Sequence, residues 1–311
     1  MSHADFTITG GDGQTVAAFR WGDAGTPKGA VQIAHGLAEH AARYGRVAER
    51  LVGAGYVVYA NDHRAHGRTA DEFGAFGVAR PGGWSAIVDD VHVLTEHIEG
   101  VHPGVPIVLL GHSMGSMIAQ GYAQRWGDDL AGLVLSGTTG GLALDGDTLG
   151  LVTALGEGDG ADQPSEIAVA MFGGFNAPFD GPDATGFEWL SRDAAEVQKY
   201  VDDPWCGFPV SNGYIADMLV GTAAMWQPEA EANIRRDLPI YVMGGANDPV
   251  GGERAALVHE LVGRYEVLGA GPVTLKLYAD GRHEMLNEVN REEVESDLVA
   301  WIDATIAARV G

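Results

Sequence analysis

Cationic side chains are scarce in this sequence. Nineteen Lys and Arg stand against 43 Asp and Glu, a formal net charge of −24, and the only lysines are Lys28, Lys199 and Lys276. Such a surface repels nucleic acid and anionic bilayers, so neither is an expected partner. It describes a soluble, salt-tolerant exterior and says nothing about chemistry. The one cysteine, Cys206, cannot form an intrachain disulfide, which suits a cytoplasmic setting. No apolar run approaches the roughly 20 residues of a membrane span, so no stable membrane insertion is expected. The first residues, Met1–Thr7, show neither a basic nor an apolar leader segment, and no secretory signal is expected there. No metal-binding spacing stands out: His92, His97 and His102 are five apart and spread around a helix. Gly82-Gly83 and Gly251-Gly252 are turn signals rather than a phosphate loop, so neither metal nor cofactor is expected.

What is present describes an ordinary globular chain, 46% hydrophobic and 20% charged. Its 311 residues can bury one large core plus an inserted subdomain. Phe6–Thr9 and Thr15–Trp21 read as antiparallel strands around the turn Gly10-Gly11-Asp12-Gly13. Buried strands at Ala30–Ala34, Tyr56–Ala60, Pro106–Leu110 and Leu133–Ser136 alternate with helices over 41–54, 84–98 and 116–124. This alternation predicts an α/β architecture with a mainly parallel, doubly wound sheet. The rhythm breaks between residues 140 and 228, where no strand is apparent and apolar residues are dense. It resumes with strands at Pro239–Met243 and Val273–Tyr278 and a last helix over 292–308. The expected division is a core from 1–139 and 229–311 with a helical cap inserted at 140–228. Phe172, Phe175, Phe179, Trp205, Cys206 and Met218 are the cap residues expected to line a binding site. Cys206 alone reads first as a small buried hydrophobe.

The stretch that carries most information is Gly111-His112-Ser113-Met114-Gly115. Nine serines and 46 glycines make about 0.2 chance matches to Gly-x-Ser-x-Gly, so context must decide. An apolar strand leads into it and a helical segment follows, which puts Ser113 on a strained strand-to-helix turn with its hydroxyl raised above the sheet. A serine nucleophile needs a base, and the base needs an acid to orient it. His283, in Asp280-Gly281-Arg282-His283-Glu284, and Asp248, in Gly244-Gly245-Ala246-Asn247-Asp248-Pro249, each follow a predicted strand in the order this architecture uses. Asn247 and Asp280 stand as fallback acids. An oxyanion hole would draw one N–H from Met114 and one from Leu37, in the loop His35–His40, with a flexible Gly36 turning Leu37 inward. His112 reads as a packed core residue.

With these segments in view, the chain resembles the monoacylglycerol lipase and lysophospholipase-like α/β-hydrolases, the serine aminopeptidase S33-type group. The likeness rests on His35-Gly36-Leu37-Ala38-Glu39-His40 with Arg43-Tyr44, on Asp62-His63-Arg64-Ala65-His66-Gly67-Arg68-Thr69, on the serine motif, and on His283-Glu284-Met285-Leu286-Asn287-Glu288. Ala65 and Thr69 replace that group's Gly and Ser, and Ser116 stands where a third Gly is frequent. Asn176-Ala177-Pro178-Phe179 and Asp203-Pro204-Trp205-Cys206-Gly207-Phe208 are similar to its bacterial esterase members. The resemblance implies an eight-stranded α/β-hydrolase fold with a mainly helical cap, and a serine carboxylic ester hydrolase. Its partner would be a small-molecule ester or lipid, with monoacylglycerol-like esters the favoured class. A lysophospholipase and a serine aminopeptidase that uses Glu157, Asp159 and Asp162 to hold an ammonium are the alternatives. A carbon–carbon hydrolase, a haloperoxidase or a non-catalytic binding protein is further off. Oligomeric state, chain length and regioselectivity are left open.

Overall fold

The computed structural model describes residues 3–23, 25–71, 74–80, 82–141 and 145–310, so Met1 and Ser2 of the N-terminal reading lie outside the described residues. Strand β1 (His3–Thr9) and strand β2 (Thr15–Trp21) form a hairpin that pairs Thr9 with Thr15. Six further strands follow: β3 (Ala30–Ala34), β4 (Val57–Asn61), β5 (Ile107–His112), β6 (Leu130–Ser136), β7 (Ile240–Gly245) and β8 (Val273–Tyr278). They make one sheet in the order β1-β2-β4-β3-β5-β6-β7-β8. β2 is antiparallel to β4, and every pair from β4 to β8 is parallel.

Strands β3 to β7 are buried along their whole length, which is why they read as unbroken apolar runs rather than as alternating patterns. Alternate residues still separate the two faces. Leu109, Leu133 and Val242 pack with the helices Gly83–Val101, Met114–Trp126 and Ala256–Leu268. Val108, Leu110, Val134 and Met243 pack with Gly45–Gly53 and Arg291–Val310. The strand order reverses between β3 and β5, and ligands of such sheets bind at the carboxyl ends beside that reversal. The loop His35–His40 and Ser113 both leave the sheet at this point.

The helix expected over 41–54 divides into a 3-10 turn, Ala41–Tyr44, and an α-helix, Gly45–Gly53. Between β6 and β7 the chain forms the helices Gly146–Leu155, Glu166–Asn176, Ala194–Asp202 and Asn212–Met225, each opened by an Asp or Ser side chain that accepts a first-turn N–H. Among the described residues of this insertion there is no named strand, only an isolated bridge between Pro164 and Ser211. No described helix is long and apolar enough to cross a membrane.

Candidate active site

Ser113 closes β5 and opens the helix Met114–Trp126, with φ 54° and ψ −121°. A non-glycine residue in that region costs about 1–3 kcal/mol and persists only where its surroundings hold it. They do. The Ser113 N–H donates to the Ser136 carbonyl at 2.9 Å, and its own carbonyl accepts the Ser116 N–H at 2.8 Å and the Ser116 hydroxyl at 2.6 Å. Ser116, in place of a third glycine, thus adds a fastening to the turn. Gly111 and Gly115 are required by contact: a Cβ on the first would strike the Gly115 carbonyl, and one on the second the Ala34 carbonyl.

His283 and Asp248 come from the loops after β8 and β7. Both are buried, and His283 Nδ1 lies 2.9 and 3.0 Å from the two Asp248 carboxylate oxygens. Burial alone would lower the imidazole pKa, but the Asp248 charge and hydrogen bond outweigh it and hold His283 above its ordinary value. The fallback acids stand apart, with Asn247 and Asp280 exposed. Burial, reinforced by His283, pushes His112 down to about 4, which keeps it neutral against the His283 ring at 4.7 Å. The helical insertion holds the histidine loop from the other side: the Trp189 carbonyl accepts the His283 N–H at 3.3 Å and the Leu190 carbonyl the Glu284 N–H at 2.7 Å. Ser113 and His283 face a common hollow of about 20 Å³. The Ser113 hydroxyl has no hydrogen-bond partner among the described residues.

The loop after β3 is fixed by a set of neutral imidazoles. The Ala38 N–H donates to His66 Nε2 at 3.1 Å, and the His63 N–H to His35 Nε2 at 3.0 Å. Burial lowers all three rings, His63 to about 3 and His66 to about 4, so each keeps a lone pair to accept with. Ala65 takes φ 64°, the backbone state for which glycine is the ordinary choice. Thr69 supplies a hydroxyl that accepts the Ala17 N–H and donates to the Asp62 carbonyl. Gly36 corrects the sequence reading. Its φ is not in the left-handed region, and a Cβ there would lie 2.8 Å from Glu39 Oε1 and 3.2 Å from Ser113 Cβ. Close approach to the serine, not flexibility, demands the glycine. Leu37 and Met114 both border the cavity that contains Ser113. Met114 is the first residue of its helix, so its N–H has no acceptor a turn earlier.

A buried ion network ties this loop to the histidine loop. Glu39 accepts from the Gly36 N–H, from Tyr44 Oη at 2.8 Å and from Arg43, while Arg43 also donates to both Glu284 oxygens at 2.7 and 2.8 Å. Burial would raise the Glu284 carboxyl, but Arg43 holds it well below the usual carboxylate range. Arg43→Met would leave two buried carboxylates without their cation, and the expected loss is about 3–5 kcal/mol of stability. Urea denaturation of both proteins measures it; a change under 1 kcal/mol would mean the network is structurally idle.

From Ser113 a cavity of about 220 Å³ runs under the insertion, lined almost wholly by apolar side chains. Phe172, Phe175 and Met218 border it, together with Trp189, Leu219 and Trp226. Phe179, Trp205 and Cys206 do not. Phe179 lies under the Arg282 guanidinium at 4.2 Å, Trp205 sets its ring edge-on to His40 at 5.4 Å, and Cys206 packs beside Trp189, Leu190 and Tyr200. The loop of Trp205 and Cys206 folds onto the loop after β3, where the Gly207 N–H donates to the Ala38 carbonyl at 2.9 Å. Five core residues of the cavity, Met117, Thr139, Pro249, Val250 and Leu257, escaped the sequence reading. Only Met117 carried a local signal, three residues after Met114 on one helix face.

This sheet, with a serine at the strained end of β5 and an Asp–His pair at the ends of β7 and β8, defines an α/β-hydrolase, an enzyme of the serine hydrolase class. The family profile described as serine aminopeptidase, S33, matches residues 25–290, and the chain belongs to that family. It is 31% identical over 304 residues to the monoacylglycerol lipase of Mycolicibacterium smegmatis, covering 97% of each chain. Among solved structures it is similar to a highly thermostable carboxyl esterase from Bacillus coagulans in complex with glycerol, with a TM-score of 0.89, 29% identity, and 98% and 99% of the two chains covered. A lipase in an open form gives a TM-score of 0.84 at 32% identity, over 98% and 99% of the chains.

Proposed function

We propose that this enzyme hydrolyses neutral, moderately hydrophobic esters of the monoacylglycerol type through an acyl-enzyme on Ser113. The observation that carries the reading is the apolar cavity opening on Ser113, Leu37 and Met114. His283 Nδ1–H faces the Asp248 carboxylate, which leaves Nε2 to take the Ser113 proton as Oγ attacks the ester carbonyl. The N–H groups of Leu37 and Met114 would hold the oxyanion, a donor pair in which one member is worth ~3–4 kcal/mol. His283 then protonates the leaving alcohol, and water attacking the acyl-Ser113 ester regenerates the enzyme. Residues 140–228 act in this reading as the cap that covers the acyl chain. The names of the relatives, a monoacylglycerol lipase and a carboxyl esterase with glycerol, point the same way. An aminopeptidase reading has the description of the family profile behind it but no ammonium anchor: Glu157, Asp159 and Asp162 are exposed, and among the described residues no carboxylate lines the apolar cavity.

The cavity of about 220 Å³ is lined almost wholly by apolar side chains, so it favours the hydrocarbon part of an ester over a polar one. Each buried CH₂ is worth about 0.8 kcal/mol, or roughly fourfold in kcat/KM. On a series of monoacylglycerols, kcat/KM is expected to climb about fourfold per carbon until the cavity is filled and then to level off. Higher rates on amino-acid naphthylamides than on any ester would overturn the assignment.

Hydrolysis needs His283 neutral, and its pKa is raised. The acid limb of kcat/KM should therefore fall above the ordinary imidazole value of about 6.5: activity is lost as pH drops through that limb and the ring takes its proton. A pH–rate profile from 5 to 9 reads it directly; a limb below 6 contradicts the stated electrostatics.

A further inference from the structure

Outside the residues used above, one cluster brings three different metal-ligand types together. His40 lies in the loop after β3; Asp203 and Cys206 lie in the loop that follows the helix Ala194–Asp202. A ligand atom from each lies within 4.8 Å of the other two, and His40 Nε2 is 2.9 Å from Asp203 Oδ2. The sequence could not suggest the set, because His40 and Asp203 are 163 residues apart.

We propose that His40, Asp203 and Cys206 form a binding site for a borderline-soft divalent cation, Zn²⁺ foremost, that clasps the helical insertion to the loop after β3. The donor set decides the class. One thiolate, one imidazole and one carboxylate suit zinc, whereas calcium and magnesium take oxygen donors alone. With bonds of about 2.0–2.3 Å, tetrahedral zinc separates its ligand atoms by about 3.3–3.7 Å. The cluster therefore needs a closure of about 1 Å. Asp203 is partly open to solvent, so water takes the fourth position.

Two further observations favour an ion here. The His40 imidazole is 6% exposed, yet among the described residues its Nδ1 has no hydrogen-bond partner. A buried ring nitrogen without a partner is uncommon, so among hydrogen bonds the ring is held by its Nε2 contact with Asp203 alone. The neighbourhood also carries excess negative charge: Asp203, Glu39 and Glu284 stand against the single guanidinium of Arg43. On binding, the Cys206 thiol gives up its proton to solvent and the sulfur lone pair forms the metal bond, so affinity should rise with pH. The clasp would reinforce a junction already made where Tyr200 Oη and the Gly207 N–H donate to the Ala38 carbonyl.

The test uses tag-free protein titrated with Co²⁺ alone and then with Zn²⁺. The expected result is one equivalent of cobalt bound with a thiolate-to-cobalt absorption in the near ultraviolet, abolished when Zn²⁺ displaces it. Zn²⁺ should also raise the unfolding temperature of the wild type and not that of Cys206→Ser, whose circular dichroism checks its fold. Asp203→Asn, the second variant, keeps the thiolate band and should bind at least tenfold more weakly. Cobalt bound without that band, equal affinity in wild type and Cys206→Ser, or no saturable binding would each overturn the proposal.

Discussion

Ser113→Ala is expected to lower kcat on a p-nitrophenyl ester by about 10⁴–10⁶-fold, with circular dichroism and cavity unchanged. Removing the nucleophile of a serine hydrolase leaves only the oxyanion donors and substrate binding, a residue of activity about 10³–10⁴ above water. The substitution removes one oxygen from a side chain that makes no hydrogen bond among the described residues, so the fold has no reason to respond. The strained φ of 54° belongs to the backbone and stays in place. A product still bound in the apolar cavity by the variant, with KM near that of the wild type, would show that the loss lies in chemistry. Retention of more than a tenth of the activity would move the nucleophile elsewhere.

Asp248→Asn is the second large effect, about 10⁴-fold in kcat. The carboxylate meets His283 Nδ1 at 2.9 Å with both partners buried, so it decides which ring nitrogen carries the proton. An amide can present its NH₂ to Nδ1 and leave the hydrogen on Nε2, the nitrogen that must accept from Ser113. The same change removes the charge that raises the imidazole pKa. Whatever activity survives should therefore have its acid limb at lower pH than the wild type, since the ring now loses its proton more easily. A variant with full activity, or with the limb moved upward, would remove Asp248 from the mechanism.

The strand positions were legible because buried parallel strands are short apolar runs bounded by turn residues, as at Ala30–Ala34 and Ile107–His112. Ser113, Asp248 and His283 were legible for a related reason: each directly follows such a run, and loops at one sheet edge converge. What the sequence concealed is tertiary. Arg43 meets Glu284 across 241 residues, and nothing near either one announces the other. Trp189 and Leu190 pin the histidine loop through backbone carbonyls, a role that no side-chain pattern encodes. In the insertion, Phe172 and Phe179 look alike as aromatic residues of a helical stretch. Phe172 borders the cavity and Phe179 covers Arg282, because the helix Glu166–Asn176 ends between them. Gly36 was read as a hinge where the structure shows a tight contact: sequence reveals that a side chain is missing but not which neighbour forbids it.

Labelling with a fluorophosphonate, with the adduct mapped by peptide mass spectrometry, decides whether Ser113 forms the acyl-enzyme. One adduct per chain is expected, on the peptide that contains Ser113, formed in step with loss of ester hydrolysis and absent from Ser113→Ala. An adduct on another residue, or complete hydrolytic activity in a fully labelled protein, would contradict it.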